Sequence, residues 1–207
     1  MEMECGAPMR GSRLDATKAF LQSMELEYDT GAEYTVNFLE QDRIVASGSL
    51  QDNVLKCIAV SDHCQGEGLA ARLVTELKME GIRRGRSHLF LYTKPEQRRR
   101  FGSLGFYPVA QTDHVLLMED ERDGIARFVS AIPKTRAKPV GAMVVNCNPF
   151  TMGHLRLIES AAKECGYIYI LVVSEEKSTF SSGDRLRLVR EGTMHLSNLC
   201  VHPTGDY

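Results

Sequence analysis

The chain has 207 residues, 43% of them hydrophobic and 25% charged, with a net charge of −2. That is enough apolar material for one large domain or two small ones, and too little net charge to steer the chain to nucleic acid or an anionic membrane. No apolar run approaches the ~18 residues of a membrane span, and the first residues, M-E-M-E-C-G, lack a basic-then-apolar leader, so a cytoplasmic location is expected. The six cysteines are scattered, with no C-x-x-C pair and no Cys/His spacing of a zinc site, which predicts reduced thiols and no protein-held metal.

Residues 55–60, L-K-C-I-A-V, read as a strand. The turn Gln65-Gly66-Glu67-Gly68-Leu69-Ala70 follows, and Leu69, Leu73 and Leu77 then mark a helix. A glycine-bearing turn that opens a helix leaves backbone N–H groups free to hold a pyrophosphate. Residues 89–93 read as the next strand, and residues 101–107 are F-G-S-L-G-F-Y. The Q-x-x-G-x-A turn resembles the coenzyme A loop of the GNAT acetyltransferases, and 101–107 resembles their late F-Y-x-x-L-G-F segment. The resemblance implies a coenzyme-A-like group held around Ile58, Val60, Gln65, Gly66, Gly68, Leu69 and Ala70. It also shows a departure. Many GNAT enzymes carry a Tyr after that Phe as general acid for the leaving thiolate; here Gly102 stands there, with Tyr107 later. Arg83, Arg84, Arg86, Arg98, Arg99 and Arg100 form a basic cluster without an aromatic ladder, which reads as a solvated face with a few contacts to coenzyme A phosphates.

Residues 119–124 are charged and end in glycine; Ile125, Phe128, Val129 and Ile132 then fit a brief amphipathic helix. Residues 133–139, P-K-T-R-A-K-P, read as a linker. The expected domains are 1–120 and 140–207, joined by 121–139.

Residues 140–145 read as a buried strand, and Leu155, Ile158, Ala161, Ala162 and Cys165 as a helical stripe. Between them stands N-P-F-T-M-G-H, residues 148–154. Thr151 is placed to cap the helix, Gly153 leaves its first turn open, and the orphan N–H groups and helix dipole favour an anion beside His154. Cys147 reads as a small strand residue rather than a nucleophile. A second strand follows at 167–173, then Lys177, a helix capped at Ser182 with Leu186, Val189, Thr193 and Leu196 on one stripe, and a third strand from Asn198. Such a β-α-β-α-β run binds nucleotides at the carboxyl ends of its strands.

The stretch at 148–154 resembles the T/H-x-G-H signature of the nucleotidyltransferase superfamily, whose members attack the α-phosphate of ATP. The longer run G-A-M-V-V-N-C-N-P-F-T-M-G-H, V-V-S-E-E-K-S and D-R-L-R-L-V-R-E-G is similar to the citrate lyase ligases, which also place a GNAT-like domain first. The resemblance implies an α/β chain in two domains: a GNAT-like mixed α/β domain and a partial doubly wound, Rossmann-like nucleotidyltransferase domain. It implies an ATP-dependent acetate ligase that acetylates the prosthetic thiol on the acyl carrier subunit of citrate lyase through an acetyl-adenylate. His154 and Lys177 would be catalytic, and Asn146, Asn148, Pro149, Phe150, Thr151, Gly153 and His154 would bind nucleotide. ATP with Mg²⁺, and a coenzyme-A-like group, are the expected cofactors. The superfamily's later phosphate-clamping signature, I-S-S-T-x-x-R or similar, is not found after Ser197, so the chain reads as the N-terminal part of a longer protein and is expected to lack the activity by itself. A GNAT-type acyl-CoA N-acetyltransferase, a related adenylyltransferase and a non-catalytic carrier-docking module are the alternatives.

Overall fold

The structure, a computed structural model, describes residues 1–66, 68–175 and 179–207. The chain divides into two compact units, Met1–Ile125 and Ala126–Tyr207.

In the first unit β1 (Glu2–Gly6), β2 (Tyr34–Glu40), β3 (Arg43–Gln51), β4 (Val54–Val60), β5 (Phe90–Thr93), β6 (Tyr107–Gln111) and β7 (Leu116–Glu119) form one sheet in the order β1-β2-β3-β4-β5-β7-β6. Its helices are α1 (Gly11–Ser23), α2 (Leu69–Arg83) and α3 (Arg98–Ser103). Leu69, Leu73, Val74 and Leu77 recur at helical spacing on α2 and are all buried against Val36, Phe38, Leu50 and Leu55 of the sheet. The alternate residues of β2 and β3 present a polar face. Thr35 and Ser49 share a hydrogen bond of 2.9 Å, and Asn37 Nδ2 donates to Thr17 Oγ1 of α1 at 2.8 Å. All four of these side chains are fully buried, and these hydrogen bonds offset part of the cost of burying them.

Neighbouring strands are antiparallel, with one exception that matters for function. β4 and β5 are parallel, joined through α2, and they pair only at Val54↔Phe90 and Leu55↔Leu91. Beyond those pairs the strands part. On its other side β4 slips register against β3 between Ser47 and Ser49, and Cys57 sits at φ 53°. Such a bulge bends a strand and ends pairing, which is how a sheet opens a cleft in its own plane.

In the second unit β8 (Val140–Val145), β9 (Tyr167–Val172) and β10 (Leu199–Pro203) form a parallel sheet in the order β10-β9-β8, with α5 (Met152–Glu164) and α6 (Ser182–Thr193) in the connections. Ile168, Ile170 and Val172 of β9 are buried with Ile158 of α5 and Val189 of α6. The strand expected at 140–145 forms, but it is not a buried one: β8 lies at the edge of its sheet, Val140 and Val144 are exposed, and its other side chains are at most half-buried. Residues 121–139 carry α4 (Gly124–Ala131) and then no regular element before β8. The Tyr169 hydroxyl donates to the Pro133 carbonyl at 2.8 Å, and Gly166 N donates to the Pro139 carbonyl at 2.8 Å, so residues before β8 are fastened to its sheet. The cap of α6 is Ser181, not Ser182. Its Oγ accepts from Asp184 N at 3.1 Å, because Ser181 still has extended backbone while Ser182 is already helical.

Arg185 of α6 is fully buried. Its guanidinium donates to the Val173 carbonyl at 2.8 Å, to the Asn146 carbonyl at 3.1 Å and to Asn146 Oδ1 at 2.6 Å. Nε reaches the Phe180 carbonyl at 3.1 Å, and the second amino group reaches the Glu175 carbonyl. One planar fork thus ties the carboxyl ends of β8 and β9 to the start of α6, which a lysine's point charge cannot imitate. Arg185→Leu removes the donor from all of these acceptors at once, at a cost of about 3 kcal/mol or more. Cys147 reports the outcome, being 1% exposed with its thiol pushed up by burial and only partly offset by the Arg185 charge. Cys147 is expected to resist alkylation in the native protein and to react readily in Arg185→Leu. Equal resistance in both would show that the network contributes little.

Candidate functional sites

The first site lies where β8 hands over to α5. Val145 ends the strand, Cys147 turns the chain at φ 51°, and Thr151 is the N-cap, with extended backbone. Thr151 N donates to His154 Nδ1 at 3.1 Å, and Thr151 Oγ1 lies 2.9 Å from the same nitrogen. A backbone N–H can only donate, so Nδ1 is the acceptor and the neutral ring carries its proton on Nε2. His154 is half-buried, and Phe150 stacks on its ring at 6.0 Å between centroids. Phe150 in turn packs on Gly192 of α6, where a Cβ would come within 2.3 Å of the ring. The imidazole is therefore held at one nitrogen and on one face, with Nε2–H left for a ligand.

The first turn of α5 has no acidic residue, so its orphan N–H groups keep their positive end uncompensated. A Cβ on Gly153 would touch only Thr151 Oγ1, at an ordinary 3.6 Å. Nothing within the fold requires glycine there, whereas a ligand approaching the backbone would. Asn146, Asn148 and Pro149 are exposed at the same strand end, but both asparagine side chains already hold the structure together. Asn146 Oδ1 accepts from Arg185, and Asn148 Oδ1 accepts from Phe180 N at 3.0 Å. Lys177 lies outside the described residues.

The second site is the cleft between β4 and β5, a cavity of about 480 Å³. Ile58, Val60, Gln65 and Ala70 line it, together with Leu91 and Phe101. Gly66, Gly68 and Leu69 do not. Leu69 belongs to the core, and Gly68 is the N-cap of α2 at φ 75°, a left-handed conformation that favours glycine. No side chain caps α2, and its first turn has no acid, so its N–H groups face the space beside the cavity wall at Gln65 and Ala70. A Cβ at Gly66 or Gly68 would meet nothing within 4 Å, so this turn has room for the phosphates of a coenzyme-A-like group. Gly102 on α3 likewise has open space around it, and Tyr107 on β6 is not among the lining residues. Tyr92, Lys56 and Cys57 are, and no local pattern in the residues singles them out for that place. Lys56 Nζ bonds Asp29 at 2.5 Å and Gln51 at 2.6 Å, and that lysine holds the Asp29 carboxyl below the usual carboxylate range. Burial pushes the Cys57 thiol up. Among the described residues, Glu40 and the adjacent pair His63 and Cys64 form a further trio of metal-capable side chains within 4.8 Å of one another.

Comparison with known proteins finds a match for each unit. Residues 10–116, just over half of the chain, match the acetyltransferase (GNAT) domain, and residues 140–207 match the citrate lyase ligase C-terminal domain. The citrate (pro-3S)-lyase ligase of Klebsiella pneumoniae is 38% identical over 198 residues, which is 94% of this chain and 58% of that protein. The enzyme of the same name from Escherichia coli strain K12 is 36% identical over 191 residues, 91% of this chain and 54% of that protein. The chain thus spans less than three-fifths of the length of these curated relatives. The crystal structure of Escherichia coli ElaA, 16% identical, matches with a TM-score of 0.51 over 58% of this chain and 99% of its own, a likeness of fold. No helix among the described residues is long and apolar enough to cross a membrane. The chain belongs to the GNAT family through its first unit, and over 94% of its length it is similar to the citrate lyase ligases.

Proposed function

We propose that the whole protein is an ATP-dependent ligase that activates citrate lyase by acetylating the prosthetic thiol of its acyl carrier subunit. A carboxylate oxygen of acetate attacks the α-phosphorus of ATP, the bond to the bridging oxygen breaks, and pyrophosphate leaves with the electron pair. The carrier thiolate then attacks the acetyl carbonyl and expels AMP, forming the thioester. The observation that carries this reading is His154. Its Nδ1 is fixed by Thr151 N–H, so Nε2–H is oriented at a helix N-terminus where an α-phosphate would gather charge in the transition state. Thr151 and the N–H groups around Gly153 would hold phosphate, with Phe150, Asn146, Asn148 and Pro149 forming the surrounding wall. Lys177 would neutralise phosphate or position acetate. Mg²⁺ would travel with the nucleotide, bound mainly by phosphate oxygens.

The cleft of the first unit would take the coenzyme-A-like arm, with Ile58 and Val60 along its stem and Gln65, Gly66, Gly68 and Ala70 around its phosphates. An N-acetyltransferase reaction there has less support, since Gly102 offers no hydroxyl and Tyr107 stands away from the cavity wall. The units divide near residue 125, and the proposed domains are 1–120 and 140–207.

In the full-length protein, His154→Ala is expected to lower acetate-dependent ATP–pyrophosphate exchange by about a hundredfold or more, with a much smaller change in ATP affinity. A variant that keeps most of its exchange removes His154 from the chemistry. Gly68→Val forces a β-branched residue into a left-handed conformation and fills the space beside the α2 N-terminus. It is expected to weaken dephospho-coenzyme A binding at least about tenfold by calorimetry, while exchange persists. Unchanged affinity would move the arm away from this turn.

A further inference from the structure

The basic cluster of the sequence falls into two sets. Arg83, Arg84 and Arg86 are engaged inside the first unit. Arg83 meets Glu76 and Glu80 at 3.0 and 2.8 Å, Arg84 meets Glu80 at 2.7 Å, and Arg86 meets Glu33 at 2.8 Å. Arg98, Arg99 and Arg100 on α3 are exposed and have no acidic partner among the described residues, and the same holds for Lys94 ahead of them.

This second set is not an isolated run on a surface. Lys94 and Arg100 line the β4–β5 cavity, and so do His114, Tyr92 and Val115. Tyr92 is 61% exposed and Val115 44%. The cavity is therefore rimmed by unpaired cations interleaved with an exposed aromatic and an exposed aliphatic side chain. Exposed Tyr and Arg around a cleft are the composition of a protein-docking surface. A net charge of −2 makes the positive rim a local feature and not a result of general basicity.

We propose that this rim docks an acidic protein that carries its thiol on a coenzyme-A-like arm, the arm lying in the cavity and the acidic face resting on Lys94, Arg98, Arg99 and Arg100. The proposal rests on the reading of the cavity as the site of such an arm. A free small molecule accounts for less of what is there. The α2 N-terminus already offers a place for a pyrophosphate, Arg98 and Arg99 lie outside the cavity wall, and Tyr92 and Val115 would remain wet. An acidic protein face covers all of these together, and its long-range attraction would speed encounter and set the orientation in which the arm enters.

The test uses the full-length protein and Arg98→Glu/Arg99→Glu, two exposed positions off the cavity wall, with thermal unfolding as a check that the fold is kept. The probes are dephospho-coenzyme A alone and the acyl carrier subunit of citrate lyase bearing its prosthetic group, titrated at low and high salt. The double variant is expected to bind the carrier at least about tenfold more weakly at low salt and dephospho-coenzyme A with unchanged affinity. High salt is expected to weaken the carrier complex of the native protein and to shrink the difference between the two proteins. Carrier affinity indifferent to the charge reversal overturns the docking surface. Native protein that binds dephospho-coenzyme A but not the carrier also overturns it, while leaving the cavity reading in place. Native protein that binds neither overturns both.

Discussion

The buried guanidinium of Arg185 is the constraint on which the second unit's site depends. Parallel strands end in a row of carbonyls and turns, and nothing in a three-stranded sheet fixes where those turns lie. Arg185 fixes them from behind, by donating at once to Asn146, Val173, Phe180 and Glu175. The strand end of β8, the turn after β9 and the first turn of α6 are thereby held in one frame. The motif that follows β8 inherits its position from that frame, and Asn148 adds a further tie to Phe180 N. A group that makes so many bonds inside the protein is unavailable to a substrate, so its contribution to chemistry would be positional.

His154 shows what the frame makes possible. A histidine in the first turn of an exposed helix would ordinarily rotate freely. Here the Thr151 N–H holds Nδ1, Phe150 covers one face, and Gly192 gives Phe150 room to lie flat against α6. Orientation of the donor before the substrate arrives is what makes an electrostatic contribution large, because little reorganisation is left for the reaction itself. In the first unit, pairing is lost instead of added. β4 and β5 stop pairing after two residue pairs, and the bulge at Cys57 turns the strand aside. The sheet gives up ladder hydrogen bonds and gains a cleft lined by apolar stems and backbone, suited to an extended arm.

Much of this was legible in the residues. The helix stripe of Leu155 and Ile158 and the glycine turn before Leu69 each carry a local pattern that folding did not override, whereas the apolar run at 140–145 forms a strand at the sheet edge and not a buried one. The early strands were harder to read. Thr35, Asn37, Ser47 and Ser49 are fully buried yet polar, so β2 and β3 show no clean apolar alternation. Arg185 could not be told from a solvated helix arginine, because its acceptors lie off its own helix, in the turns after β8 and β9 and ahead of α6. The difference between Arg83–Arg86 and Arg98–Arg100 is part local and part distant: Glu76 and Glu80 share a helix with Arg83, while Glu33 comes from far away in sequence. Both look like basic surface, and only the approach of Glu33, Glu76 and Glu80 separates the neutralised set from the one left open. Local pattern pointed to the candidate sites, and only the folded chain separates the arginines with acidic neighbours from those without one among the described residues.

In the proposed reaction the carboxylate attacks phosphorus and the thiol later attacks carbon. Acetate labelled with heavy oxygen in both carboxylate positions tests it most directly, in the full-length protein with ATP and the acyl carrier subunit of citrate lyase. An acetyl-adenylate leaves one labelled oxygen on AMP when the thioester forms, so mass spectrometry of the recovered AMP is predicted to show one heavy oxygen per turnover. AMP free of label, or label found instead in inorganic phosphate, would contradict the account.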